Sequence, residues 1–216
     1  MKTNLSKRVF TSIVLFSILL TCIFFHKYSW LLLVIVGSII AFVEFNNLSN
    51  KIWKKNTFAK YIVRFSCLVY LLLFIYSSHN LYNEGIYATL FILFICIFSD
   101  IGGYVVGKIV GGKKLIKISP KKTISGSIGS LLFSLIPIFF YIMYNQNENL
   151  TLIKLILSAL FISIVCQAGD LLISYFKRRA NIKDTGSLLP GHGGILDRID
   201  GLVFGLPIGF LLIQYF

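Results

Sequence analysis

All five aspartates of this chain, Asp100, Asp170, Asp184, Asp197 and Asp200, lie beyond residue 95, and each has glycine, lysine or arginine within two residues. In a chain with only eight acidic residues, that concentration is a chemical signal. Carboxylate oxygens, completed by water and substrate phosphates, are how proteins usually hold magnesium. Lysine and arginine beside them suit phosphate oxygens. Three stretches carry this equipment. Ser119-Pro120-Lys121-Lys122-Thr123 gathers two ammonium groups and two hydroxyls at a turn fixed by Pro120. Cys166 to Arg179, CQAGDLLISYFKRR, puts Asp170, Ser174 and Lys177 on one face of a helix, at i, i+4 and i+7, with Gly169 leaving room beside the carboxylate. The same spacing would also let Asp170 and Lys177 simply neutralise each other. Lys183 to Gly201, KDTGSLLPGHGGILDRIDG, is too rich in glycine to be a regular helix and reads as a shaped loop that crowds His192, Asp197, Arg198 and Asp200 together. Asp200, at the start of the last apolar run, is equally what a helix dipole would favour. Zinc is not indicated, because no second histidine or cysteine lies near His192. Gly107 to Lys114, GKIVGGKK, is not a P-loop: Lys114 stands where a hydroxyl must hold magnesium, and no strand is expected before it.

The elements that position these residues follow from composition. Hydrophobic residues make up 56% of the chain and charged residues 13%, about half the charged share of an ordinary soluble domain. Mean hydropathy is +0.83. Seven apolar runs, roughly 9–26, 29–46, 61–78, 86–106, 128–144, 151–176 and 199–216, have the length and continuity of membrane helices rather than the alternation of barrel strands. The first follows Lys2, Lys7 and Arg8 but shows no small-residue cleavage site, so it reads as a retained span. The expected fold is all-α: a polytopic integral membrane protein of about seven transmembrane helices. It forms a single membrane domain over 1–216, with N-terminal spans over 1–85 and a catalytic half over 95–216. Gly103, Gly107 and Gly111, and again Gly201, Gly205 and Gly209, recur every four residues and read as helix-packing stripes. Cys22, Cys67, Cys96 and Cys166 all fall in apolar runs and read as packing or lipid-facing residues.

The net charge of +13 would suit nucleic acid, but its distribution points elsewhere. Lysine and arginine fill alternate loops, at 51–60, 108–122 and 177–183, whereas 79–85 and 145–150 carry only Glu84 and Glu148. That is the positive-inside pattern of a bacterial-type inner membrane protein, with the N-terminus and the basic loops in the cytoplasm. An active site at the cytoplasmic membrane boundary, with hard oxygen ligands beside many cations, is equipped for phosphoryl or nucleotidyl transfer to a lipid. An ion-coupled transporter would instead set its acids near the midplane of broken helices.

Residues 174–200, SYFKRRANIKDTGSLLPGHGGILDRID, resemble the signature of the phosphatidate cytidylyltransferases, or CDP-diacylglycerol synthases, at every defined position. Cys166 to Asp170 and Ser119 to Thr123 resemble further motifs of that family in the family's order, and the likeness spans roughly 95–216. Two departures stand out: Ser125 where the family usually has an acid, and Ile101-Gly102-Gly103-Tyr104 where Thr-Gly-Ala-Tyr is commoner. The resemblance implies the reaction of CTP with phosphatidic acid to give CDP-diacylglycerol and pyrophosphate, with magnesium alone or with a second cation. Transfer to an ether lipid or a polyprenol is the alternative. It implies Asp170, Asp197 and Lys177 as catalytic residues, with Asp170 and Asp197, joined by Asp200, around a shared metal. It further implies Ser119, Lys121, Lys122, Thr123, Ser174, Arg178, Lys183, His192 and Arg198 as substrate-binding residues. The partners it implies are the two substrates and membrane lipids, for a single chain or a homodimer, and no nucleic acid.

The charge pattern predicts that a cysteine introduced at position 147 is labelled only from the side opposite the cytoplasm, while positions 113 and 183 are labelled from the cytoplasm. Cytoplasmic labelling of position 147 contradicts the assignment.

Overall fold

The computed structural model describes residues 2–116, 119–144, 151–191 and 193–215, with side chains from residue 10 onward except those of 120, 121 and 215. Nine helices are present among the described residues: α1 (Lys2–Phe25), α2 (Lys27–Ile52), α3 (Thr57–Glu84), α4 (Ile86–Ile109), α5 (Ile124–Phe133), α6 (Ile136–Tyr144), α7 (Leu152–Arg179), α8 (Leu196–Ile199) and α9 (Leu202–Tyr215). Five helical stretches are long and apolar enough to cross a membrane: Lys27–Ile52, Thr57–Glu84, Ile86–Ile109, Ile124–Tyr144 and Leu152–Arg179. The apolar stretch Phe10–Phe25 and α9 are shorter. All seven apolar runs therefore fall on helices. The loop at 145–150, and with it Glu148, lies outside the described residues.

The chain divides into two compact units that interleave in sequence. One comprises Met1–His79 and Phe176–Ile199, the other Asn80–Tyr175 and Asp200–Phe216. In the first, polar side chains tie helix to helix. Trp30 Nε1 donates to the Ser78 carbonyl at 3.1 Å. Arg64 donates to Ser49 Oγ at 2.9 Å and to Asn50 Oδ1 at 2.7 Å, fixing α3 against the end of α2. Phe45 of α2 meets Phe176 edge to face. α7 ends in a Schellman turn: Asn181 adopts φ 55°, Ile182 N donates to the Lys177 carbonyl at 3.0 Å and Asn181 N to that of Arg178 at 3.1 Å. This turn sends the chain into the glycine-rich loop directly after the basic end of α7.

In the second unit α4 is the central helix. Gly102, Gly103 and Gly107 let it approach α5, where a Cβ at Gly126 would come within 2.8 Å of the Gly103 carbonyl and one at Gly129 within 2.7 Å of the Gly102 carbonyl. Gly205 and Gly209 do the same for α9: their Cβ positions would lie 2.5 Å from Cys96 and Cys166 Sγ and from Ile92 Cδ1 respectively. Both glycine stripes are thus packing surfaces, with one correction. A Cβ at Gly111 would meet nothing within 4 Å, and its φ is 63°; with Gly112 at φ 103° it ends α4. Cys96 and Cys166 are buried with their sulfurs 3.0 Å apart as free thiols, and Ser99 and Ser163 share a hydrogen bond of 2.8 Å.

Two further expectations change in detail. Ser119–Thr123 is not a turn but a strand, β2, paired antiparallel with β1 (Lys114–Ile116). Pro120 is tolerated because a two-stranded ribbon has only edge strands. The apolar run 128–144 is broken into α5 and α6 around Ser134 and Leu135. Pro137 has no N–H to continue the ladder and sits in the first turn of α6, where none is needed.

Candidate active site

Within the second unit, a cavity of about 260 Å³ is bounded by α4, the β-ribbon, α5 and α7. Its charged lining is Asp100, Asp170 and Lys122, and its neutral polar lining includes Thr123, Ser127, Ser130 and Gln167. Lys122 Nζ forms an ion pair with Asp170 Oδ2, both side chains being between a quarter and a third exposed. Ser174 Oγ donates to the other oxygen, Asp170 Oδ1, at 3.4 Å. The ribbon delivers Lys122 here because it is anchored at its base. Ile124 N donates to the Lys113 carbonyl at 3.0 Å, and Ser125 Oγ donates to that of Gly111. Thr123 is the N-cap of α5, accepting from Gly126 N at 3.0 Å, so its oxygen is already engaged. The space expected beside Gly169 is filled: a Cβ there would meet the Phe204 ring and lie 2.8 Å from the Asp200 carbonyl. Asp200 is buried, and its Oδ1 accepts from Gly201 N at 3.0 Å at the start of the last helix.

The first unit holds the second carboxylate. Asp197 Oδ1 accepts from Lys177 Nζ at 2.7 Å, with side-chain exposures of 4% for Asp197 and 12% for Lys177. Its Oδ2 accepts from Thr185 N at 2.7 Å and Gly194 N at 3.1 Å, and lies 3.0 Å from Thr185 Oγ1. Lys177 therefore pairs with Asp197 rather than with the Asp170 of its own helix. The loop between them is pinched by paired main-chain bonds between Leu189 and Gly193, with Gly191 and Gly193 at φ 77° and 86°. Burial alone would raise the Asp197 pKa. Hydrogen bonds from Lys177 and from the Thr185 and Gly194 amides outweigh it and hold the carboxyl below its ordinary 3.8.

The remaining sequence-predicted residues fall as follows. Ser119 pairs with Ile116 in the ribbon and is half-buried. Arg178 is exposed and donates to the Ile182 carbonyl at 3.4 Å, while Lys183 and Arg198 are exposed on the loop. The side chain of Lys121 and the whole of His192 lie outside the described residues. Sequence reasoning missed Ser127, Gln167, Thr185 and Glu44. Ser127 and Gln167 are joined at 2.5 Å in the wall of the cavity; Glu44 reaches the Asp197 loop from α2. Asp100, one of the five clustered aspartates, lines the cavity with Asp170.

Among the described residues no group of three or more histidine, cysteine, aspartate or glutamate side chains gathers as a ready-made cage. The donor set nevertheless fits magnesium, which takes one or two carboxylates and fills its shell with water and substrate phosphate. Each carboxylate already faces a cationic ammonium group.

Comparison with known proteins points to one family. Residues 48–216 match the model of the cytidylyltransferase family. The chain is 44% identical over 135 residues to a protein of Staphylococcus haemolyticus named phosphatidate cytidylyltransferase, covering 61% of this chain and 51% of that one. It is 38% identical over 197 residues to the protein of the same name from Staphylococcus aureus strain COL, covering 88% of this chain and 74% of that one. The chain therefore spans about half the length of the first relative and nearly three quarters of the second.

The lowered pKa of Asp197 sets a pH dependence. The ionised carboxylate supports the loop at every pH above its ordinary value of 3.8, and that support is lost only as the pH falls through the lower folded value. A spin label at Ser187→Cys should keep constant mobility from about pH 7 to about pH 4.5 and loosen only in more acid solution. Loosening already near about pH 5.5 contradicts the assigned hydrogen bonds.

Proposed function

Because the chain belongs to the cytidylyltransferase family and is a membrane nucleotidyltransferase, we propose that it is a phosphatidate cytidylyltransferase, joining CTP to phosphatidic acid to give CDP-diacylglycerol and pyrophosphate. The observation that carries this reading is the Lys122–Asp170 pair in a polar cavity, made by two of the motifs on which the family resemblance rests. Asp170 sits toward the C-terminal end of a membrane-length helix that finishes in Lys177, Arg178 and Arg179. This suits a reaction between a soluble nucleotide and a lipid headgroup, and the run of lysine and arginine in the neighbouring loops supports a cytoplasmic face.

The chemistry needs positioning and charge neutralisation more than acid–base help. A phosphate monoester is already anionic at neutral pH. Its oxygen attacks the α-phosphorus of CTP, the new P–O bond forms, and the bond to the departing pyrophosphate breaks. Lys122, from β2, and Lys177, near the end of α7, are placed to hold phosphate oxygens. Arg178, Lys183 and Arg198, on the exposed surface, supply further positive charge. Magnesium would supply Lewis-acid neutralisation of the triphosphate when bound; the carboxylate that could ligate it is Asp170 in the one unit and, in the other, the Lys177-facing oxygen of Asp197. Asp197 can offer only that one oxygen, because its other is already met by the Thr185 and Gly194 amides. Asp200, with one oxygen on Gly201 N, serves the start of the last helix first.

Purified protein incubated with magnesium, phosphatidic acid and each of the four ribonucleoside triphosphates should release pyrophosphate and form a nucleotide-linked lipid with CTP. A faster reaction with another nucleotide, or product only when a polyprenol or ether lipid phosphate replaces phosphatidic acid, contradicts the reading.

A further inference from the structure

Glu44 is one of three glutamates in the chain, and it lies on α2, in the N-terminal stretch that reads from sequence as ordinary membrane helix. It also lies before the first residue of the family match, 48. Yet its residue is only 6% exposed, and its carboxylate turns wholly to the glycine-rich loop. Oε1 accepts from Ile195 N at 3.0 Å, and Oε2 accepts from Leu196 N at 2.9 Å and lies 2.8 Å from Thr185 Oγ1. The loop is cut to fit it. A Cβ at Gly186 would stand 2.6 Å from Oε1, and one at Gly194 would overlap Oε2. Gly194 of the signature, and Gly186 between its fixed positions, are thus explained by a residue outside it.

The consequence runs through Thr185. Its hydroxyl lies between Glu44 Oε2, at 2.8 Å, and Asp197 Oδ2, at 3.0 Å, while its amide donates to Asp197 Oδ2. The Gly194 amide, next to the Ile195 amide that Glu44 holds, makes the other bond to Asp197 Oδ2. Glu44 therefore fixes both loop segments that grip one oxygen of Asp197, leaving the opposite oxygen turned to Lys177. We propose that Glu44 is a positioning residue for the reaction: it sets the orientation of Asp197, and through it Lys177, without touching substrate. This rests on the functional reading above, which gives Asp197 and Lys177 their roles.

Glu44→Gln keeps the volume but presents an NH₂ to a main-chain N–H where an acceptor is needed. The full-length protein in lipid nanodiscs should then lose about tenfold or more in kcat, with KM for phosphatidic acid within about twofold of the parent. Without substrate, amide exchange should accelerate at 185 and 194–196, while 124–133 exchanges as in the parent. Thr185→Val leaves the two main-chain bonds of Glu44 and removes only the hydroxyl link. It should lower kcat by a smaller factor, and it carries the test if Glu44→Gln does not insert. Combining the two substitutions should be no worse than Glu44→Gln alone, because they break one chain of contacts. Parental kcat in Glu44→Gln, or in Thr185→Val where that variant carries the test, overturns the proposal, as does a loss seen only in yield or thermal stability with turnover per folded molecule intact. Parental protein that makes no nucleotide-linked lipid would sink the functional reading alone. The exchange data then decide, and the positioning claim falls if Glu44→Gln leaves 185 and 194–196 as protected as before.

Discussion

A carboxylate taken out of water has to be met by donors or by a cation, and the functional loops of this chain are arranged by that requirement. Asp197, with a side chain 4% exposed, is met by Lys177 and by the amides of Thr185 and Gly194. Removing the lysine from a pair this buried would strand a charge, at a cost of about 3–5 kcal/mol. Asp170 is met more loosely, by Lys122 and by a long hydrogen bond from Ser174, with the pair open to the cavity. A pair exposed to that degree contributes little to stability, about 0–1 kcal/mol after solvent screening. The two acids thus differ in kind. One is held in a fixed orientation with a single oxygen turned to an ammonium group, and the other is free to exchange its partner.

Much of this was legible in the residues. The apolar runs gave the helices because a membrane-length segment must satisfy its own backbone. The clustering of Asp, Lys and Gly pointed to the candidate site because a chain poor in charge has few other reasons to gather it. The i, i+4 spacing of Asp170 and Ser174 survives as a hydrogen bond on α7. What could not be read was tertiary pairing. Sequence spacing allowed Lys177 to meet Asp170, but the loop brings Asp197 to it instead. Glu44 has no local motif, and its donors lie about 150 residues further along. The β-ribbon was hidden because Pro120 argues for a turn, and only the pairing of Lys114 with Thr123 and Ile116 with Ser119 shows otherwise.

Two of the three residues that depart from the family pattern have local physical explanations. Ser125 donates to the Gly111 carbonyl at the base of the ribbon, a bond that an ionised acid could not make because it has no proton to give. Gly103, where alanine is commoner in the family, faces Ser130, and a Cβ there would lie 2.5 Å from its Oγ. Ser125 and Gly103 therefore each match a neighbour in this chain, and nothing in the structure explains Ile101.

The central claim is that Asp170 and Asp197 act through negative charge rather than through shape. Asp170→Asn and Asp197→Asn keep size and most hydrogen-bonding capacity and remove only that charge. Measured at saturating magnesium and CTP on protein shown to be inserted and folded, each variant should lose more than about a hundredfold in turnover. Magnesium-dependent turnover near the parental rate in either one would contradict the account.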